Sequence, residues 1–380
     1  MPAIRARRLF DGRELLGERV VHVEDGRITA VADHGVAELD LGDVTLLPGL
    51  IDCHVHLVFD ASADPVAHLD GACDEELLDR MRDAAAATLA AGVTTVRDLG
   101  DRNFLALRLA QKLGVTEGPE ILAAGPPITT TKGHCWFLGG EADGVDGVRA
   151  AVRERARRGT HVVKMMVTGG EMTPGTHSHV RQYGLAELRA AVEEAHAHGL
   201  PIAAHAHAGE GIADALAAGF DTIEHCSFLT EDSAEPDLAV IARLAASDVI
   251  VSLTAGMVPG GPPPPAGIAK RIPGVMRSLR ALNAAGVPFV IGSDAGIGPI
   301  KPHGVLPYGP GMLVDLGYAP LDTLRSITSQ AARACRVADR KGRIMAGYDA
   351  DLLAVEGDPL ADVTALLRPV AVFRMGRRVR

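Results

Sequence analysis

The feature that most narrows what this chain can become is a repeated alternation, across its middle, of short apolar β-type runs with helical segments. Candidate strands lie at Leu50–Leu57, Thr94–Asp98, Glu120–Ala124, Val162–Val167, Ile202–His207, Thr222–Cys226, Ile250–Leu253 and Phe289–Ser293. Helical runs such as Asp74–Ala91, Val148–Arg158, Leu185–His198 and Pro236–Ala246 separate them. Alternation of this kind points to parallel strands with helices as the crossovers. Gly92, Gly199 and Gly286 each stand between a helical run and the next strand, where a glycine closes a helix in the left-handed conformation. Eight such units is the count of an α/β fold of the (β/α)8 TIM-like barrel type. A doubly wound open sheet is the competing architecture, but the Gly-rich phosphate fingerprint that would favour it does not follow the first strand.

The two ends of the chain differ in character. Val20–Val23, a turn at Asp25-Gly26 and Arg27–Ala32 read as a β-hairpin, and short strand signals continue through Val44–Leu47. Ala350–Val355 and Val370–Met375 have the same short, β-rich character. Neither end carries enough strands to bury a face alone. The expectation is therefore a small composite β-sandwich domain, residues 1–48 plus 344–380, attached to a barrel at 49–343. A net charge of −10 without a strong basic cluster excludes nucleic acid as a partner; only the tail Arg377-Arg378-Val379-Arg380 is locally basic. No uncharged apolar run is long enough to cross a bilayer, and the start of the chain carries no apolar leader. The five cysteines form no CxxC pair and read as reduced thiols. These features describe a cytoplasmic protein that works on a small molecule rather than on a membrane or nucleic acid.

In a parallel barrel the reactive groups gather at the C-terminal ends of the strands. The first candidate strand ends His54-Val55-His56, and residues two apart on a strand share a face. The fourth carries Lys164 inside an apolar run, a costly place for an unpaired ammonium. The fifth ends His205-Ala206-His207, the sixth Glu224-His225 and the eighth Ser293-Asp294. Taken singly, each has an ordinary reading: a core histidine, a helix N-cap aspartate, a lysine reaching for solvent. Five at matching strand ends point to a divalent metal, since imidazole and carboxylate are the donors that zinc-like ions prefer.

Several stretches carry a resemblance to a known family. Pro48-Gly49-Leu50-Ile51-Asp52-Cys53-His54-Val55-His56-Leu57 resembles the opening signature of the amidohydrolase superfamily. Gly92–Asp98, Ile223-Glu224-His225, Gly292–Gly296, Ser329–Ala332 and Gly347–Leu352 resemble its later motifs, so the likeness runs end to end. The nearest subgroup is the imidazolonepropionase-related set that includes Xaa-Pro and other dipeptidases. The resemblance implies two divalent metal ions, with zinc suiting the donors best. His54, His56 and Asp294 would hold the more buried ion and His205 and His225 the second. Lys164 would bridge them as a carbamate formed with carbon dioxide. It further implies a hydroxide shared by the metals as nucleophile on an amide, with Asp294 moving the proton to the leaving amine. A dipeptide, an N-acyl amino acid or a cyclic amide would be the substrate, and a homo-oligomer the working state.

Other positions are weaker candidates. His134, after the third strand, is placed by the resemblance facing substrate, as a polariser of the scissile carbonyl. Tyr183, in the loop after the fourth strand, reads first as a packed loop aromatic and second as a candidate substrate contact, and His177, His179 and Arg181 in that loop are candidates for a carboxylate. Lys301 and His303 hold the same status after the eighth strand. Pro259–Pro265 reads as either a stiff surface loop or a rim over the site. His207 keeps a second function open: with Glu210 it forms a His-x-x-Glu pattern of mononuclear zinc deaminases in the same superfamily, which have no need of Lys164. A non-catalytic metal-binding protein is the reading from outside enzymology, and the complete ligand set weighs against it.

Overall fold

In the computed structural model, which describes residues 3–262 and 266–380, eight parallel strands occupy the middle of the chain. They are β1 (Leu50–Val55), β2 (Val93–Asp98), β3 (Glu120–Ala123), β4 (Val163–Met166), β5 (Ile202–Ala206), β6 (Thr222–His225), β7 (Ile250–Thr254) and β8 (Phe289–Gly292). Every residue of β1, β2, β4, β5 and β6 is buried, so none of these strands alternates between a buried and a solvated face. Helices connect them, among them Asp74–Ala90, Gly144–Arg158, Leu185–Ala197, Gly209–Ala218, Leu238–Ala245 and Ala266–Ala284. Gly92, Gly199 and Gly286 take φ of +91°, +70° and +67°, the left-handed conformation expected of them.

The eight strands form two sheets, β1–β3 and β4–β8, rather than one closed ladder. Single bridges span both seams, Ile128 to Met165 and Val55 to Ala295. The interruptions have local causes. After β3 the chain runs through Pro126-Pro127, which carry no N–H to donate, and pairing with β4 resumes only at Ile128. After β8 the Ser293 amide donates to the Asp52 carboxylate (2.8 Å) instead of to a main-chain carbonyl.

Two antiparallel-rich sheets lie outside this arrangement. A four-stranded sheet comes wholly from the N-terminal segment. A six-stranded sheet pairs Val44–Pro48 with Leu352–Glu356 and so joins both ends of the chain. The sheets share one core in which Ile4, Val21 and Ile28 meet Leu46, Leu352 and Phe373. Buried Lys341 ties this region to the start of β3: its ammonium lies 2.5 Å from Asp351, 3.2 Å from Asp349 and 3.1 Å from Glu120. The Gly347–Leu352 motif thus serves here as a structural joint. No helix among the described residues is long and apolar enough to cross a membrane.

Candidate metal centre

The C-terminal ends of the parallel strands open into one cavity of about 550 Å³. His54, His56, His134, Lys164, His205, His207, His225 and Asp294 all line it, which brings together residues from β1, β4, β5, β6 and the ends beyond β3 and β8. Two groups of potential ligands form there. His54, His56 and Asp294 present donor atoms within 4.8 Å of one another, and so do His205, His207 and His225.

Backbone and buried polar side chains position the first group. Asp52 accepts from the amides of His54 and Ser293, fastening β1 to the turn beyond β8, and the Asp294 amide donates to the His54 carbonyl (2.7 Å). Gly292 has to be glycine, because a Cβ there would run into His54. Asp294 and His225 both hold left-handed backbone, at φ +57° and +69°, which is uncommon for non-glycine residues and concentrates at functional sites.

Hydrogen bonding then sets the tautomers. His54 Nδ1 lies 3.0 Å from Glu224 Oε2 and His56 Nδ1 lies 3.0 Å from the Gly100 carbonyl. Carboxylate and carbonyl oxygens only accept, so each Nδ1 carries a proton and each ring turns its Nε2 inward. Those two Nε2 atoms are 3.3 Å apart, and each is 3.5 Å from Asp294 Oδ1. Three atoms of metal-donor type therefore converge. Burial pushes His54 down to about 4, with the Lys164 charge acting the same way. Burial would raise Asp294, but positive charge around it, that of Lys301 and Lys164 included, holds its carboxyl below the ordinary range. A divalent cation satisfies such a donor set.

The second group is similar. His205 Nε2 donates to the Gly169 carbonyl (3.1 Å), leaving Nδ1 as the lone pair, 3.0 Å from His225 Nε2. Burial and neighbouring imidazoles hold both rings far below their usual range, hence neutral. His207 stacks on His225 with ring centroids 4.3 Å apart and meets Ser227 Oγ at 2.7 Å. The structure thus brings both histidines of the fifth strand beside His225. Lys164 is fully buried in the same cavity, and its amine has no hydrogen-bond partner among the described residues. Burial lowers its ammonium to about 8, although Glu224 and Asp294 oppose the shift. A buried amine that is unpaired and easily deprotonated fits modification to an anionic ligand better than a resting ammonium.

His134 is buried with its ring 4.8 Å from that of His205 and its Nδ1 3.2 Å from Thr173 Oγ1. A Cβ on Gly170 would strike this ring. Burial, then His207 and Lys164, push His134 down to about 3, so it is a neutral imidazole.

Not every candidate reaches the cavity. Tyr183 is a buried core residue whose hydroxyl donates to the Ala142 carbonyl (2.7 Å), and it does not line the site. Arg181 turns outward to Asp214 and Glu210, and Glu210 itself is 77% exposed. His177 and His179 stack on each other away from the lining. Lys301 donates to the Ser293 carbonyl and His303 to that of Phe59, so neither faces the cavity. Of the Pro-rich run, 263–265 lies outside the described residues.

Sequence reading missed the supports. Arg97 is 2% and Glu224 0% exposed; their 2.8 Å ion pair stands behind His54, and Arg97 also donates to the Cys53 carbonyl and Thr222. Although burial pushes Glu224 up, Arg97 and the His54 hydrogen bond hold it well below the carboxylate range. The available signal was a complementary charge pair, one member in each of two fully buried strands. Asp98 is a second support, accepting from the amides of Leu57 and Gly100.

The comparisons with known proteins agree with this geometry. The model of the "Amidohydrolase family" matches residues 45–379. An ochratoxinase of Aspergillus niger is 27% identical over 372 residues, covering 86% of this chain and 73% of that protein. An imidazolonepropionase of Cereibacter sphaeroides is 25% identical, covering 96% and 95%. A solved Xaa-Pro dipeptidase with methionine bound in its active site superposes with a TM-score of 0.87 at 28% identity, covering 99% of this chain and 98% of that one. The chain belongs to the amidohydrolase family and is a hydrolase.

Proposed function

We propose that the chain is a binuclear metal-dependent amidohydrolase that cleaves the C–N bond of a small amide such as a dipeptide, an N-acyl amino acid or a cyclic amide. His54, His56 and Asp294 would hold one divalent ion, zinc by donor preference, and His205 and His225 the other. Lys164 would bridge them after carbon dioxide has turned its amine into a carbamate. The observation that carries this reading is the buried, unpartnered Lys164 amine in the same cavity as two groups of converging donors. The barrel belongs to the same reading. Two parallel sheets with a bridge at each seam support a (β/α)8 barrel over 49–343, and the shared terminal core supports a composite domain of 1–48 and 344–380.

Bound divalent ions would supply Lewis acidity for the carbonyl and lower the pKa of water. The chain's own groups do the rest. Asp294 remains ionised in the cavity, so it takes a proton and hands it to the leaving amine. Thr173 Oγ1 accepts from the Cys135 amide (2.8 Å) and meets His134 Nδ1 at 3.2 Å, a contact that fixes the orientation of the ring. A neutral imidazole donor in a buried site suits polarisation of the scissile carbonyl. Deamination on one metal would need Glu210 beside it, and the exposure of Glu210 and its pairing with Arg181 support hydrolysis instead.

Protein loaded with zinc and bicarbonate is expected to release amine from at least one class in a panel of dipeptides, N-acyl amino acids and cyclic amides. Ammonia release from aminated heterocycles, with no amide cleaved, would overturn this reading.

A further inference from the structure

The amide-hydrolase reading leaves open what the non-reacting part of the substrate is. The cavity's histidines lie at the strand ends, and its outer wall is of different chemistry. Ile268, Ile272, Val275, Met276 and Leu279 of the Ala266–Ala284 helix all face it. Their spacing of three and four residues places them on one stripe, about 16 Å long at 1.5 Å per residue. Ile297, Met312 and Leu313 line the cavity as well, so the apolar surface is not confined to that helix. The stripe grades from the mouth inward: Ile268 and Ile272 are 40% and 37% exposed, whereas Leu279 is 6%. Large apolar side chains left open at the mouth of a cavity are an unfavourable surface that a ligand covers.

The charges in the wall are already spent on each other. Among the described lining residues the cations are Lys164, assigned above to the metals, and Arg271. Arg271 lies 2.6 Å from Glu171 Oε1 and donates to the Glu231 carbonyl (2.8 Å), while Ser178 donates to the same carboxylate (2.7 Å). The free ammonium or carboxylate of a dipeptide entering this wall would find no charge that is not already neutralised, and burying it there unpaired is costly.

Resting on the amide-hydrolase reading, we infer that the substrate is an amide carrying a large, uncharged, apolar group, laid along the Ile268–Leu279 stripe while the amide sits at the histidines. The helix selects by chain length and hydrophobicity, and free dipeptides with charged ends are poor ligands.

A series of straight-chain alkyl hydroxamates, from acetohydroxamate to decanohydroxamate, tests this by calorimetric titration of the zinc-loaded protein. Affinity is expected to rise about two- to fourfold per methylene, the upper figure corresponding to full burial of each group. Ile272→Asp is expected to flatten the rise across the series. Equal affinity along the wild-type series would overturn the inference. So would tighter binding of a chain tipped with an ammonium or carboxylate than of the plain alkyl chain of equal length. Because binding needs no turnover, a steep series on a protein that cleaves no amide would uphold the apolar group along the helix stripe and overturn only the amide as the bond that reacts.

Discussion

Replacing Glu224 by glutamine separates the metal centre from its support. Glutamine keeps the shape and one acceptor but removes the countercharge from Arg97, which is 2% exposed and pairs with Glu224 at 2.8 Å. An arginine left buried without its partner destabilises a fold by roughly 3–5 kcal/mol. The same change weakens the contact that keeps the proton on His54 Nδ1 and the lone pair on Nε2. Loss of such an orienting partner lowers metal affinity about 10- to 100-fold. The two effects are measured apart, by denaturant unfolding of metal-free protein and by zinc titration against a competing chelator. Glu224→Gln is expected to lose several kcal/mol in the first and at least tenfold in the second. A stability change under about 1 kcal/mol together with unchanged zinc affinity would refute the reasoning, since neither the buried ion pair nor the tautomer would then matter.

Three further outcomes follow from the geometry. Glu120 is held down to about 2, because Arg340 and Lys341 outweigh the upward push of burial. Its stabilisation is therefore complete above the unfolded carboxyl's pKa near 4.5 and fades as pH falls towards 2, a loss of about 3 kcal/mol in acid unfolding curves. Glu120→Gln is expected to lack that loss, and an unchanged acid profile would contradict the assignment. His134→Ala is expected to lower kcat for amide cleavage roughly 10²- to 10³-fold with KM little altered, and an unaltered kcat would remove His134 from the chemistry. Gly170→Ala, whose Cβ meets the His134 ring, is expected to reproduce most of that fall while metal content stays at the wild-type value.

How much was legible in the chain follows from how each part is encoded. Strand-end residues repeat a local rule: a strand brings residues two apart to the same face, and the parallel strands open their C-terminal ends into one cavity, so His54, His56, Lys164, His205, His225 and Asp294 stood out without knowledge of the loops. The glycine-closed helices were legible for the same local reason. Of the two readings of Tyr183 the packed aromatic is the one observed, though its hydroxyl partner, the Ala142 carbonyl, is 41 residues away and no local pattern names it. Glu210 likewise forms a deaminase-like pattern in sequence but faces solvent on the first turn of the Gly209–Ala218 helix. The Ile268–Leu279 stripe has the periodicity of any core-facing helix, and only its position over the cavity distinguishes it. Seams between the sheets depend on Pro126, Pro127 and the Asp52 side chain, details that an alternation of strands and helices does not carry.

The central claim is a binuclear centre bridged by a modified lysine, and metal content per chain tests it most directly. Wild type and Lys164→Ala, both prepared with zinc and bicarbonate, are compared by elemental analysis, with the intact mass of the wild type recorded under conditions that preserve a carbamate. Two ions per wild-type chain, a mass increment of one carbon dioxide, and a sharp fall in bound metal in Lys164→Ala are the predicted results. One ion in both proteins, with no mass increment, would contradict the account.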